Sequence, residues 1–411
     1  MIKIAVIGGG ASGLVASIYA KNCNTVVDLY EKNDELGKKI LVTGNGRCNY
    51  FNEDFTSDKF YGFNDYDLSN IINNNMKEEV LSFFESIGII PSIKNGYYYP
   101  SSFKANSIRL SLIDEIYSKD INVFTNNFVT NILYNDNEGC FYICVNDEYK
   151  KYDKVILSSG SCAYVNSTNS YDLVKKYHSI TPLLPSLVSL VGKGNYFKLW
   201  NGVRCNCEIS LLDADKNILK ETGEIQLTDY GISGICVFNL SGIVNKMLYQ
   251  KNKAFVSINF IPFIKDNYYE WFNSRKEMLG DRTIYEFLVT ILNEKLVNTI
   301  LYVTNISKNR VVNELSLDEI NNIVSNLTLF KLEIVSSKDF SRAQVCNGGV
   351  ILDEFVRECV YTKQYSKLMN SVIKDELKEI SSIRLKNKPL LEYIKDYVAE
   401  NDINCDNYKR R

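Results

Sequence analysis

Three glycines and one carboxylate have a spacing with chemical content. Gly8, Gly10 and Gly13 lie in "IKIAVIGGGASGLVASIYA" (residues 2–20), and Glu31 ends "TVVDLYE", 23 residues after Gly8 and 18 after Gly13. Glycine at the first position permits a tight turn, at the second lets the backbone come close to a diphosphate, and at the third lets a helix press against a strand. A carboxylate at that distance can accept both ribose hydroxyls of an adenosine and would repel a 2′-phosphate. The chemistry is recognition of a dinucleotide, with NAD or FAD favoured over NADP. A strand, a turn and a helix must position these groups. Ile2–Ile7 is short, apolar and largely β-branched, as a buried parallel strand is, and Leu14–Ala20 has helical spacing. The helix start brings free N–H groups and about half a positive charge to the turn.

A second cluster distinguishes the two cofactors. "ELGKKILVTGNGRCN" (residues 35–49) carries Gly37, then Gly44 and Gly46, flanked by Lys38, Lys39 and Arg47. A unit for NAD alone moves straight into its next helix and strand; a further glycine-rich basic loop suits a longer cofactor whose ribityl chain and ring need close backbone approach. Gly8-Gly9-Gly10-Ala11-Ser12-Gly13, Glu31-Lys32-Asn33, Leu36-Gly37-Lys38-Lys39 and Thr43-Gly44-Asn45-Gly46-Arg47-Cys48-Asn49 closely resemble the bacterial NAD(P)/FAD-dependent oxidoreductases of the aminoacetone-oxidase family. "NGYYYPSSFKANSI" (95–108), "GEIQLTDYGISG" (223–234) and "FSRAQVCNGGV" (340–350) extend the resemblance to residues 1–352.

The resemblance implies an α/β fold: a Rossmann-like FAD-binding domain of the glutathione-reductase type with inserted β-barrel and helical subdomains. It implies FAD contacts at Gly8, Gly10, Ala11, Ser12, Gly13, Glu31 and Lys32, and from the second loop at Lys39, Gly44, Gly46, Arg47 and Cys48. It also places the backbone near Val129 beside the adenine and the loop at Gly160 near the pyrophosphate. No second GxGxxG marks a separate nicotinamide domain, so NAD(P)H would visit the flavin transiently as electron donor.

Two stretches depart from the family pattern. In "SSGSCAYVNSTNSYDLV" (158–174) only Gly160 of a glycine-rich loop is clear. Residues 355–411 contain no glycine and have charged, helix-like spacing through "KLMNSVIKDELKEI", so the family's flavin-ring contacts at this end do not carry over. Two readings stay open. One is an FAD-dependent oxidoreductase acting on a small organic substrate, such as an unsaturated carbonyl compound, with NAD(P)H or oxygen as redox partner. The other is a dinucleotide-binding protein of the same fold that has lost flavin redox activity; a non-functional remnant is the extreme of that second case.

Composition sets further bounds. The 411 residues carry a net charge of −2, and 45% are hydrophobic and 12% aromatic, which describes a folded chain of two or three domains with no electrostatic footprint for nucleic acid. The first apolar run is broken by glycine after six residues and no stretch reaches a membrane span, so neither a signal peptide nor a bilayer helix is expected. Eleven cysteines, an odd number, then fit reduced thiols in a cytoplasmic protein. Cys205 and Cys207 share a strand face as packing residues, and Cys48 fits as a small buried residue. Nothing selects an oligomeric state.

The expected organisation is a dinucleotide-binding domain over 1–185, a barrel-like insert over 186–266, a helical insert over 267–330, a return to the first domain over 331–354, and a divergent helical segment over 355–411. "DLVKKYH" reads as a helix ended by the sole histidine, His178, and "TIYEFLVTILNEKLVNTIL" as an amphipathic helix. Tyr97–Tyr99 follow an Asn-Gly turn and read as a hairpin strand. Tyr230 and Ser233 lie in a loop that the resemblance places near the active site. No His/Cys/carboxylate set has metal-ligand spacing.

Overall fold

The computed structural model describes residues 1–56, 75–163, 170–213, 216–265 and 267–351. These divide into two compact units. One holds the described residues of 1–161 with 170–181 and 349–351; the other holds 162–163 and the described residues of 182–348. The divergent segment 355–411 lies outside the described residues.

The first unit opens with β1 (Ile2–Ile7), α1 (Ala11–Ala20) and β2 (Thr25–Tyr30). A small sheet of β3 (Phe51–Asn52), β4 (Pro91–Lys94) and β5 (Tyr97–Pro100) follows, with α2 (Asn75–Ser86) between its first two strands. Helix α3 (Ala105–Ser118) leads to β6 (Asn122–Phe124), the meander β7 (Val129–Asn135), β8 (Cys140–Val145) and β9 (Glu148–Tyr152), and finally β10 (Lys154–Leu157). The central sheet is parallel throughout, in the order β10-β1-β2-β6.

Both faces of β1 are covered, which is why it reads as a continuous apolar run. Val6 belongs to a core with Leu14, Leu29, Leu112 and Ile116. Ala5 and Ile7 point the other way, into a core with Tyr30, Ile143 and Val155. Each fully buried aliphatic side chain contributes about 1.5–3 kcal/mol. Asn95 and Gly96 turn the β4–β5 hairpin with φ of 53° and 78°, the two positive values a type I′ turn needs. Tyr98 is then buried against the Phe51 ring, so the Tyr97–Tyr99 strand is structural.

The second unit runs through β11 (Leu184–Ser186), β12 (Leu190–Gly192), α4 (Phe197–Trp200), β13 (Arg204–Asp213), β14 (Lys216–Thr228) and β15 (Gly231–Ser233). It continues with α5 (Ile235–Tyr249), β16 (Ala254–Asn259), α6 (Tyr268–Leu279), α7 (Ile284–Val289), α8 (Glu294–Thr304), α9 (Leu317–Thr328), β17 (Phe330–Ser337) and β18 (Val345–Asn347). Six of the strands close an antiparallel barrel in the order β12-β15-β14-β13-β16-β17, and β11 pairs with β18. Trp200 is fully buried in this unit, its indole N–H donating to the Thr228 carbonyl at 3.0 Å.

Four details differ from the sequence reading. The strand Phe330–Ser337 stays in the barrel and closes it against β12, so the chain re-enters the first unit only at Gly349. Within the span expected to be the barrel-like insert, the apolar stretch after Gly234 is helix α5; its buried positions Val237, Leu240, Ser241 and Val244 follow a helical period. The single amphipathic helix is two, because Asn293 caps a new start by accepting from the Lys295 N–H. His178 ends a set of turns after a 3₁₀ turn at Ser170–Leu173, not a longer helix.

Helices α7 and α9 begin with reciprocal capping boxes, Thr283 with Glu286 and Ser316 with Glu319. The Thr283 and Ser316 backbone N–H groups hold these carboxyls below the usual glutamate range. A lowered folded-state value means that the boxes contribute fully above the ordinary glutamate pKa and lose their contribution as pH falls below it. Glu319→Ala, which removes the carboxylate that the Ser316 N–H holds at 2.7 Å, is expected to cost about 0.5 kcal/mol at neutral pH. Thermal melts should show the gap from wild type narrowing on acidification; a pH-independent gap would reject the box as its source. Among the described residues, no helix is long and apolar enough to cross a membrane.

Candidate functional site

The turn between β1 and α1 is built by glycines with different reasons for being there. Gly8 has φ of +106° and lies against the next strand's exit, where a Cβ would come within 2.5 Å of Ser159 Cα. A Cβ on Gly13 would collide with the Gly8 carbonyl oxygen and sit 2.7 Å from Ser158 Oγ. Gly9, which the motif reading did not use, would strike the Leu36 side chain. Gly10 is the exception. It has an ordinary extended conformation (φ −78°, ψ −174°), and a Cβ there would meet nothing within 4 Å. The fold does not require glycine at that position, whereas close approach of a ligand to the backbone would.

Helix α1 starts at Gly10 with no side-chain cap and no acidic residue in its first turn. Its first N–H groups, at Ala11, Ser12 and Gly13, therefore lack the usual capping acceptor and face outward with the positive end of the helix dipole. Glu31 stands beside this turn and is 7% exposed. Its Oε2 accepts from the Gly9 N–H at 2.7 Å, and its Oε1 accepts from the backbone and side-chain N–H groups of Asn33 at 2.8 and 2.5 Å. A carboxylate offers about four lone-pair sites, so these three bonds fix its orientation and leave acceptor capacity. Its backbone is anchored too: the Glu31 N–H donates to the Phe124 carbonyl and the Glu31 carbonyl accepts from Asn127, both at 2.9 Å.

Ser158 completes the cradle from β10. Its hydroxyl donates toward the carbonyls of Ile7 and Gly8 at 3.0 and 3.1 Å, locking the turn to the neighbouring strand. The buried Ser159 hydroxyl beside Gly8 has no partner, and Gly160 follows with φ of +84° and open space around it. Sequence reading singled out only Gly160 here. The missed signal was position: Ser158 and Ser159 leave the carboxyl end of a parallel strand, where α/β sheets bind their ligands.

The second glycine loop is a distorted 3₁₀ segment, Lys38–Gly46, in which Gly44, Asn45 and Gly46 are all left-handed (φ 54°, 56° and 77°). It is tied to the first turn through Gly37, whose N–H donates to the Gly9 carbonyl at 2.8 Å. Arg109 braces it from α3, donating to the Leu36 carbonyl and pairing with Glu35, at 2.7 and 2.9 Å. Lys39, Gly44 and Arg47 are exposed and Lys32 is half-buried. Cys48 turns its side chain into the core under the loop, and burial pushes its thiol pKa up. A ligand on this loop would meet the backbone of Cys48, not a thiolate.

Val129 is buried at the start of β7, paired with Val145. It lies two residues beyond Asn127, the residue that binds the Glu31 carbonyl. In the second unit, the Ser233 hydroxyl is engaged with Ser189 at 2.8 Å, and the Tyr230 ring lies 3.7 Å beneath the Lys338 ammonium. Cys205 and Cys207 are strand residues of the barrel, and burial pushes the Cys205 pKa up to about 11. Among the described residues no group of His, Cys, Asp and Glu is arranged to hold a metal.

A parallel sheet, a glycine turn onto an uncapped helix and a buried acid at the end of the next strand define a nucleotide-binding Rossmann protein. The chain belongs to the HI0933-like protein Rossmann domain family, whose model matches residues 2–370. It is 32% identical over 357 residues to a Clostridium scindens protein named 3-dehydro-bile acid delta(4,6)-reductase, covering 85% of this chain and 87% of that one. It is 21% identical over 356 residues to the ribosomal RNA dihydrouridine synthase of Haemophilus influenzae, covering 84% of this chain and 85% of that protein. The resemblance to a Rossmann-type oxidoreductase family read from the motifs is thereby upheld.

Proposed function

We propose that this chain binds FAD in its first unit and works as an oxidoreductase on a small organic substrate of the unsaturated-carbonyl class, reducing it with NAD(P)H as electron donor or oxidising it with oxygen as electron acceptor. The observation that carries the reading is the oriented Glu31 carboxylate beside the uncapped start of α1, next to a Gly10 that the fold itself does not need. The substrate class is supported by the name of the Clostridium scindens relative, a reductase of a 3-dehydro, delta(4,6) compound.

In this reading the N–H groups of Ala11, Ser12 and Gly13 take the pyrophosphate, with Gly8 and Gly10 allowing its approach. Glu31 takes the adenosine ribose hydroxyls. Lys32, Lys39 and Arg47 add positive charge, and the backbone of Gly44, Gly46 and Cys48 takes the ribityl side. The Val129 backbone borders the adenine, and the Gly160 loop, with the free Ser159 hydroxyl, lies on the pyrophosphate side. Bound flavin would supply hydride transfer between itself and the substrate. The protein's own part is to hold this cofactor by its ADP end, orient it and limit water at the Glu31 contact.

The test is the visible spectrum of the purified protein before and after adding FAD, followed by anaerobic addition of NADH or NADPH. Flavin bands that co-elute with the protein and bleach with one of the nicotinamides are expected. Bands that no nicotinamide bleaches would leave FAD in place and remove NAD(P)H as donor. No flavin in either sample would favour the second reading, a dinucleotide-binding protein without flavin chemistry, to which the glycine-free segment 355–411 points.

A further inference from the structure

We propose that Cys162 and Cys346 are a redox pair that closes to a disulfide under mild oxidation. The two residues are 184 positions apart in the chain, yet the Cys162 thiol donates to the Cys346 sulfur at 3.8 Å, so the sulfurs are already in contact. The Cys346 thiol in turn donates to the Asn347 carbonyl at 3.3 Å, which holds its sulfur in place. Both belong to the second unit, in a small cluster where Ala163, Val188, Ala343 and Cys346 are buried and Cys162 is half-buried at the edge.

That asymmetry is the arrangement an oxidant-sensitive pair needs: one sulfur that solvent reaches and a second, shielded sulfur close enough to resolve it. With a peroxide as oxidant, Cys162 attacks one peroxide oxygen, giving a sulfenic acid and releasing water. The Cys346 sulfur then displaces hydroxide from the Cys162 sulfur, and with its own proton a second water leaves. Each sulfur loses one electron and the peroxide O–O bond takes up both. Of the other thiol cluster in this unit, Cys207 and Cys236 are 0% and 2% exposed, and the half-buried Cys205 beside them has its thiol pushed up to about 11 by burial, so it offers an oxidant little thiolate.

The position gives the bond a consequence. Cys162 follows Gly160 by two residues and Cys346 precedes Gly348 by two, so the link ties together the chain just after the β10 glycine loop and just before the Gly348-Gly349 pair. This inference does not depend on flavin binding.

The full chain is treated with a few equivalents of hydrogen peroxide, its thiols are counted under denaturing conditions, and a non-reducing digest is mapped by mass spectrometry. The count is expected to fall from eleven to nine, with a Cys162–Cys346 cross-linked peptide that dithiothreitol removes. Cys162→Ser should abolish the loss, and Cys207→Ser should leave it. A two-thiol loss mapped to other cysteines, or Cys162 driven to sulfinic acid without the cross-link, would overturn the proposal. Because the wild-type map alone decides, a serine variant that fails to fold does not blunt the test.

Discussion

Gly13→Ala is expected to leave little folded protein, although alanine is the better helix former. In an exposed helix the change would gain about 1 kcal/mol. Here the new Cβ would occupy the position of the Gly8 carbonyl oxygen and press within 2.7 Å of Ser158 Oγ. That carbonyl has no route of retreat. The Gly8 N–H is held by the Tyr30 carbonyl at 2.7 Å, the carbonyl itself accepts from Ser158, and the Gly8 Cα lies against the Ser158–Ser159 backbone. Relief requires moving α1 away from β1, and that helix buries Leu14, Val15 and Ile18 in the core of the first unit. Overpacking of a dense core costs about 1–3 kcal/mol when side chains can yield; against backbone on both sides the cost belongs at or above the upper end. A fall in Tm of about 10 °C, with loss of soluble yield, is the expected result. A variant melting within a degree or two of wild type would show that the β1–α1 turn is looser than this geometry allows.

The same residues show what the sequence could and could not disclose. The βαβ unit was legible because its determinants are local: β1 is apolar on both faces, the glycines mark a turn with no room, and Glu31 falls at a fixed distance along the chain. The Asn95-Gly96 hairpin was legible for the same reason, since two positive φ values select those residue types. Closure of the barrel was not legible, because the partner of β17 is β12, about 140 residues earlier in the chain, and nothing local in "FKLEIVSS" distinguishes a barrel strand from one that returns to the first sheet. Helix α5 was not distinguished within the barrel-like insert because its flanks are almost as apolar as its buried face, which hides the period. At the site, the groups that fix Glu31 were invisible for a further reason. Gly9 acts through its backbone N–H, Asn33 through both its backbone and side-chain N–H groups, and Ser158, whose hydroxyl holds the Gly8 carbonyl of the same turn, acts from across the sheet, so their roles depend on where the chain brings them.

Gly10→Ala is expected to do the opposite of Gly13→Ala: leave the fold intact and remove the ligand. Its backbone angles are open to any residue and its Cβ would touch no protein atom within 4 Å. Stability should be unchanged or slightly raised, by about 0.4–1 kcal/mol, because alanine restricts the unfolded chain. On the proposed FAD-binding reading, a methyl group there would stand directly before the first turn of α1, in the path by which the diphosphate would approach the N–H groups. If displacing it costs about 1–3 kcal/mol, as overpacking does, FAD affinity falls roughly 10- to 100-fold. Titration of the apoprotein with FAD, beside a thermal melt of the same sample, separates the two effects. An unchanged melt with weakened binding assigns Gly10 to the cofactor. An unchanged melt with unchanged binding would place the pyrophosphate elsewhere and leave the glycine without a function, and a lowered melt would mean that the turn is less open than the structure shows. Gly13 therefore tests whether the cradle is built as described, and Gly10 tests what it was built to hold; only the second result bears on function.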